Sequence, residues 1–189
     1  MLHLIYEGDR KSSSVTLIIT EEHNIIVDTS TKDKKDLIIS KLKELNFEPK
    51  DIDIIINTHI HKGHTENNDL FEDANIYASA HECIKKCDGC MLYSEIDEIY
   101  GFEPIEKFPN EEITIIKTPG HTYGSISVLY EDYIIVGDAA PLKENILNNK
   151  VPENIVDFRA AKGSIRRIKM LKKNIITGHE GIVYVNEYL

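Results

Sequence analysis

Three histidines lie within six residues of each other in the segment 57–67, NTHIHKGHTEN. They are His59, His61 and His64, and they follow the run 52–56, which is apolar except for Asp53. Neutral imidazole is the most common metal ligand among side chains, and three imidazoles on one short loop can converge on a single cation. This spacing therefore predicts a metal site directly after a buried strand.

Three further turns carry a histidine or an aspartate directly after an apolar segment, namely His121, Asp138 and His179. Strand ends at one edge of a sheet are a usual place for a functional site. Histidine and aspartate together are ligands for zinc and for non-haem iron, and a carboxylate between two cations could bridge them. Scattered loop histidines are the alternative. That interpretation suits an isolated residue such as His23 better than four strand ends of this kind.

The order of these motifs resembles that of the metallo-β-lactamase superfamily over essentially the whole chain. The resemblance implies an α/β fold, specifically an αββα four-layer sandwich of two mixed β-sheets flanked by helices. It also implies a hydrolase that uses a metal-bound hydroxide on an ester, thioester, lactone or phosphodiester. The matching segments are THIHKGH at 58–64, TPGHT at 118–122, Gly137 with Asp138, Gly178 with His179, and VDT at 27–29.

The resemblance also implies a role for each ligand. His59, His61 and His121 would bind a first ion. His64 and His179 would hold a second ion, and Asp138 would bridge the two. Zinc, as one or two ions, is the expected cofactor, with iron as the alternative.

Position 63 departs from the family motif, which has an aspartate directly before its third histidine. Gly63 removes a charge and a ligand from the second site, so one hypothesis is a weakened second site and a single working ion. The other hypothesis is that Glu66, on the same helix face, replaces the aspartate and acts with Asp138 as a catalytic residue. A solvent-facing glutamate at 66 is the alternative. Lys62 is a third candidate, against an ordinary exposed lysine.

Two other activities stay open at this stage. An iron oxidoreductase resembling persulfide dioxygenases would use His59, His121 and Asp138, and a weakened second site would suit it. A non-catalytic metal-binding member of the fold is the other, although the full set of six remaining ligands argues against it. Metal identity and count per chain would separate these hypotheses.

A second cluster combines an imidazole and three thiols within ten residues. A Cys₃His zinc site or an iron–sulfur cluster is conceivable there, but iron–sulfur clusters usually take four thiolates. The chain has three cysteines in all, which is not a disulfide framework. Reduced cysteines beside the site are the favoured interpretation. The cluster consists of His81, Cys83, Cys87 and Cys90.

Short apolar segments and two amphipathic ones must position these residues. Helical spacing predicts helices over 33–45 and 153–171. A helix is expected to begin near Thr65, a helix or loop over 81–90, and irregular chain over 94–108. The repeated order of strands, helix, strand and loop indicates a single domain over 1–189. Strands are predicted at 2–7, 15–20, 24–28, 52–57, 75–79, 112–117, 125–130, 133–136, 174–177 and 182–185.

The composition limits the classes of partner that we expect the protein to bind. The 189 residues carry a net charge of −10, which argues against wholesale binding of nucleic acid. A basic stripe within 153–173 is best interpreted as the solvated face of an amphipathic helix. No run of 18 apolar residues and no signal peptide are visible. We therefore expect a cytoplasmic protein that acts on a small-molecule substrate, away from membranes. Its oligomeric state is open, with a homodimer among the options.

Overall fold

The computed structural model describes residues 1–82, 84–86, 89–91, 102–105, 108 and 110–189. The helices are α1 (Lys35–Glu44), α2 (Lys62–Thr65), α3 (Lys143–Leu147) and α4 (Phe158–Met170). The strands are β1 (Leu2–Tyr6), β2 (Val15–Ile19), β3 (Asn24–Val27), β4 (Ile54–Ile56), β5 (Asn75–Ala78), β6 (Ile84–Lys86), β7 (Gly89–Met91), β8 (Phe102–Pro104), β9 (Thr114–Lys117), β10 (Ile126–Tyr130), β11 (Tyr133–Ile135), β12 (Asn174–Ile176) and β13 (Ile182–Val183).

Two mixed sheets account for most of the strands. The first sheet has the order β1-β2-β3-β4-β5-β8, antiparallel up to β3 and parallel from β3 to β8. The second has the order β13-β12-β11-β10-β9, in which only the β11–β12 pair is parallel. Strands β6 and β7 form a separate antiparallel pair.

The isoleucine-rich strands explain why these sheets stack. Successive side chains of a strand point to opposite faces, and a strand buried on both faces has no polar alternation. In β4, Ile54 and Ile56 join the cluster between the two sheets, whereas Ile55 packs in the cluster that contains Ile38 and Leu42 of α1. The same division holds across the second sheet.

The second sheet buries its outer face against α3 and α4. Ile134 and Ile175 lie in the cluster that includes Ile146 of α3 and Ile168 of α4, while their neighbours Ile135 and Ile176 face the first sheet. Three apolar clusters thus separate four layers, helix, sheet, sheet and helix. This arrangement confirms the predicted αββα sandwich. No helix in the described part of the chain combines the length and apolar character needed to span a membrane.

Three element predictions need correction, and one helix was missed. The 81–90 segment contains β6 and β7 rather than a helix or loop, and β8 lies within the supposedly irregular 94–108. These strands have three residues each, too few to display a period. The helix expected near Thr65 ends there, after only one turn, and α3 was not anticipated.

The last long helix begins later than its periodicity predicts. The structure starts α4 at Phe158 because Asp157 caps it, accepting a hydrogen bond from the Ala160 backbone N–H at 2.9 Å. The residues before the cap are occupied elsewhere. The backbone N–H groups of Val156 and Asp157 both donate to the carbonyl oxygen of Gly120, in the turn that carries His121.

Candidate metal centre

All six predicted ligands follow the carboxyl ends of strands. His59 and His61 come after β4, and His64 lies on α2. In the second sheet, β9, β11 and β12 run in the same direction, so the turns after them meet at one edge. Those turns carry His121, Asp138 and His179. The sheet topology therefore brings together side chains that are distant in the sequence. The two farthest apart, His59 and His179, are separated by 120 positions.

Asp138 lies at the centre of the cluster. Its Oδ1 atom is 3.0 Å from Nε2 of His179 and 3.4 Å from Nε2 of His64. Its Oδ2 atom is 3.2 Å from Nε2 of His121 and 3.9 Å from Nε2 of His59. Each carboxylate oxygen thus faces its own pair of imidazoles, which is the arrangement that a bridging ligand needs.

Two overlapping groups of side chains have ligand atoms within 4.8 Å of one another. The first contains His59, His61 and His121, the residues that the resemblance assigns to the first ion. Within it, Nδ1 of His61 lies 2.9 Å from Nε2 of His121. The second group contains His64 and Asp138 with His59, rather than with His179.

Buried polar atoms without partners test whether a metal fits here. Nε2 of His59, Nε2 of His64 and Oδ1 of Asp138 are buried and form no hydrogen bond of good geometry, although Oδ1 lies 3.0 Å from Nε2 of His179 and 3.4 Å from Nε2 of His64. A buried polar atom left unsatisfied costs about 1–3 kcal/mol, so three in one place need an explanation. A divalent cation supplies one, because imidazole nitrogens and carboxylate oxygens are the ligand atoms that zinc takes.

Main-chain carbonyls orient two of the imidazoles. Nδ1 of His121 donates to the carbonyl oxygen of Asn154 at 2.6 Å, and Nδ1 of His179 donates to that of Asp9 at 2.7 Å. A proton held on Nδ1 leaves Nε2 of each ring unprotonated and facing Asp138. The sequence could not reveal Asn154 and Asp9 in this role, because a backbone carbonyl leaves no side-chain signature.

A buried carboxylate orients the imidazole of His64. Asp28 accepts from Nδ1 of His64 at 2.8 Å, and also from the backbone N–H and the hydroxyl of Thr58 at 2.9 and 2.8 Å. The φ angle of Asp28 is +57°, a left-handed conformation that aspartate and asparagine adopt more readily than most residues. The VDT motif at 27–29 therefore marks the group that aims a predicted metal ligand.

Electrostatics couples proton and metal binding. Burial lowers the pKa of His59 well below its usual value, and the neighbouring histidines lower it further. Burial also lowers the pKa of His64, but the carboxylates of Asp28 and Asp138 outweigh this and raise it to about 10. Burial raises the pKa of Asp138, yet the same histidines hold it well below the usual range. A cation at this centre must therefore displace a proton from His64.

The missing aspartate has a steric explanation. The backbone N–H of Ser13 donates to the carbonyl oxygen of Gly63 at 3.0 Å, so the β1–β2 loop lies directly against α2. A Cβ atom on Gly63 would lie 2.9 Å from the carbonyl oxygen of Lys11, closer than real Cβ contacts. Position 63 is thus a glycine because the loop occupies the space of a side chain.

We expect Gly63→Ala to lower the free energy of unfolding by about 1–3 kcal/mol, the usual cost of overpacking. Gly163→Ala is the matched control, because it is also helical but a Cβ there meets nothing within 4 Å. The control should gain about 0.5–1 kcal/mol from helix propensity. Urea unfolding of the metal-free proteins measures both. Equal gains in the two variants would contradict the steric explanation.

The predicted roles of Glu66 and Lys62 gain no support from their positions. Oε2 of Glu66 accepts from the backbone N–H of Lys32 at 3.0 Å, and its own N–H donates to the carbonyl oxygen of Ser30 at 3.1 Å. Glu66 therefore closes the loop before α1 instead of filling the space of the missing aspartate. Lys62 is exposed at the start of α2.

A cleft of about 330 Å³ opens onto the centre. Its lining mixes charged, amide and apolar side chains, and Lys150 within it pairs with Glu144 at 2.8 Å. His121, Asp138 and His179 form part of its wall, together with Arg10, Pro141, Leu142, Glu144, Asn145, Lys150, Val151, Pro152, Glu153 and Asn154.

The cysteine cluster lies largely outside the described residues. Cys83 and Cys87 are not among them, and Cys90 is placed only by its backbone in β7. A metal or redox role for the three thiols stays a prediction.

Comparisons with known proteins agree with this geometry. A probable metallo-hydrolase of Methanocaldococcus jannaschii is 52% identical over 165 residues, which cover 87% of this chain and 75% of the relative. An N-acyl homoserine lactonase of a Bacillus species is 31% identical over 166 residues. That match covers 78% of this chain and 63% of the lactonase, so the chain spans less than two thirds of the lactonase's length.

A solved structure and a family model give the same result. The structure of an N-acyl homoserine lactone hydrolase with the product N-hexanoyl-L-homoserine at its catalytic metal centre superposes with a TM-score of 0.68. It is 25% identical, over 88% of this chain and 80% of that one. The model of the metallo-beta-lactamase superfamily matches residues 8–179. The chain belongs to the metallo-beta-lactamase superfamily and is an enzyme of its metallo-hydrolase class.

Proposed function

We propose that this chain hydrolyses small lactones, and related carboxylic esters, at a centre of two metal ions, with zinc as the resident metal. His59, His61 and His121 bind the first ion, and His64 and His179 bind the second. Asp138 bridges them. The observation that carries this proposal is the pairing of each Asp138 oxygen with its own two imidazoles, at 3.0 to 3.9 Å.

Two ions suit the cluster better than one, even with Gly63 in place of an aspartate. The imidazole of His64 is buried and aimed by Asp28, while that of His179 is aimed by the carbonyl of Asp9. Such outer hydrogen bonds usually accompany metal ligands and raise their basicity. Two oriented imidazoles and a carboxylate oxygen offer three ligand atoms, and a zinc site in an enzyme keeps its fourth position for water or substrate.

The metal supplies Lewis acidity, which lowers the pKa of water toward ~7 and polarises a carbonyl group. The protein holds the water and the ligand side chains in position. The oxygens of Asp138 can only accept hydrogen bonds when ionised, so they orient a water proton away from the substrate carbon. The imidazoles of His64, His121 and His179 are held by Nδ1, so these rings need no rotation as the ester bond breaks.

The lactone class comes from the relatives and from the cleft. The lactonase relative and the lactone hydrolase structure are named for opening homoserine lactones. The cleft of about 330 Å³ beside Asp138 is of the size that small-molecule sites usually have. Its wall contains apolar side chains from Pro141, Leu142, Val151 and Pro152, which suit an acyl group.

Nothing in the described part of the chain favours the oxidoreductase or the non-catalytic alternative. A single-ion oxygenase would need only His59, His121 and Asp138. It would leave the orientation of His64 by Asp28 without a purpose. The relatives are named as hydrolases.

Metal analysis with a hydrolysis panel tests the proposal. Protein purified without added metal should contain close to two zinc ions per chain. It should hydrolyse N-acyl homoserine lactones faster than matched linear esters, thioesters or phosphodiesters. Removal of metal by a chelator should reduce the rate more than about 100-fold, and zinc should restore it. One iron per chain, or no turnover of any lactone, would reject the proposal.

A further inference from the structure

Glu82 is a buried carboxyl group that none of the ligand motifs includes. Only 2% of its surface is exposed. It lies between β5 and β6, where its backbone N–H donates to the carbonyl oxygen of Ser79 at 3.0 Å. The side chain points into the protein. Oε1 accepts from the hydroxyl of Thr122 at 2.5 Å, and Oε2 accepts from the backbone N–H of Ile60 at 3.3 Å.

Both of these donors belong to segments that carry metal ligands, and the Gly124 backbone N–H, in the same turn as Thr122, also hydrogen-bonds the carboxyl group. Ile60 lies between His59 and His61, and Thr122 directly follows His121. One carboxyl group therefore joins the histidine loop of the first sheet to the histidine turn of the second. The three histidines beside its two partners are the three members of the first ligand group.

The surroundings of Glu82 are built around this carboxyl group. Ser125 Oγ lies 2.6 Å from the Thr122 hydroxyl and accepts from the Thr122 backbone N–H at 3.1 Å. The Ser125 hydroxyl proton can therefore go to Thr122, which leaves the Thr122 proton for Glu82. A Cβ atom on Gly124 would clash with the backbone N of Glu82 and lie 2.6 Å from its Oε1, so the turn needs a glycine where it packs against Glu82.

A carboxylate is costly at this depth, so a packing role does not account for it. Burial raises the pKa of Glu82 to about 7, while the hydrogen bonds from Thr122 and Ile60 act to lower it. Glutamine has the same volume but only one acceptor oxygen. Its NH₂ group would have to face a backbone N–H, either that of Ile60 or that of Gly124 in the Thr122 turn. Two acceptor atoms are what the two loops require.

We propose that Glu82 is a positioning residue for the first ion. It sets the separation between the His59–His61 loop and the His121 turn, and thereby the affinity of the centre for that ion. Glu82 contacts no ligand side chain in this role. The inference rests on the ligand set of the proposed function but not on the substrate.

Stepwise metal binding tests this inference without any assay of hydrolysis. Cobalt(II) is titrated into the metal-free protein against a competing chelator, and its visible absorption reports each ion in turn. In Glu82→Gln, the first ion should bind about 10- to 100-fold more weakly, the usual cost of losing an outer-shell partner. The affinity for the second ion should stay within about 3-fold of the wild type, well short of that cost.

Threonine variants keep the test decisive if Glu82→Gln does not fold. Thr122→Val removes the hydroxyl donor and should lower the affinity for the first ion. Thr122→Ser keeps the hydroxyl and should retain the wild-type affinity. Glu112→Gln is the control, because this exposed glutamate also accepts a backbone hydrogen bond, from Glu21 N at 3.0 Å, away from the ligand loops.

Unchanged affinity in Glu82→Gln or Thr122→Val would overturn the inference. So would an equal loss at both ions, which a general structural role would cause. A wild-type protein that binds no metal would overturn the proposed function as well. Failure to hydrolyse any lactone would overturn the proposed function alone.

Discussion

Asp138→Ala protein should bind neither ion tightly and should lose more than about 100-fold of its hydrolytic kcat/KM. Loss of an outer hydrogen bond to a metal ligand costs at most about 100-fold. Because Asp138 is proposed as a direct ligand, its loss should cost more. The reason is geometric. Both carboxylate oxygens of this one residue face imidazole pairs, His64 with His179 and His59 with His121. Alanine leaves the two pairs without the group that joins them.

Metal content by mass spectrometry and lactone hydrolysis together check this result. Asp132→Ala is the control, because Asp132 lies in the turn between β10 and β11 and its carboxylate pairs with Lys173 at 3.0 Å on the surface. An exposed ion pair contributes about 0–1 kcal/mol, so the control should keep its metal and its rate. An Asp138→Ala protein that retains two ions would show that the histidines hold them unaided.

Asp28→Asn should have the second largest effect, on stability and metal affinity together. Asp28 is 1% exposed and accepts three hydrogen bonds, two from Thr58 and one from His64. Asparagine keeps the volume and tolerates the φ of +57°, so backbone strain does not confuse the result. Its NH₂ group, however, must face a donor. We expect the unfolding free energy to fall by about 1–3 kcal/mol.

The same variant should bind the ion of His64 about 10- to 100-fold more weakly, because the imidazole loses the acceptor that fixes its Nδ1 proton. Denaturant unfolding of the metal-free protein and chelator competition measure the two effects separately. Asp53→Asn is the matched control, since Asp53 accepts from Asn24 N at 2.8 Å in an exposed position. If the two variants were equally stable and bound metal equally, Asp28 would not orient His64.

Much of the fold could be predicted because it depends on local pattern. The apolar residues at 25–27, 54–56 and 175–176 identify strands buried on both faces, and such strands need a layer on each side. The elements that were missed or misplaced depend on distant partners instead. β8 exists because β5 offers it a parallel edge, and α4 starts at Phe158 because the chain before it binds the Gly120 turn.

The candidate site, like the fold, could be predicted only in part. Ligand types and the spacing of His59, His61 and His64 are properties of the sequence, and the resemblance added His121, Asp138 and His179. The structure brings all six side chains together, while their binding of metal stays a prediction. Glu66 shows the limit of spacing arguments. Its separation from Gly63 suggested a replacement ligand, but its carboxylate accepts a hydrogen bond from the Lys32 backbone N–H, which belongs to another loop.

What this sequence determined by itself was the chemical nature of the site and the layers that carry it, because residue type and periodicity are local properties. The tertiary structure alone decided how the site is held. The Lys11 carbonyl explains the glycine at 63, the Asp9 and Asn154 carbonyls aim two imidazoles, and Glu82 joins two ligand loops. These contacts link residues that are distant in sequence. Three of the groups are backbone carbonyls, which every residue possesses, so no pattern of side chains could have revealed them.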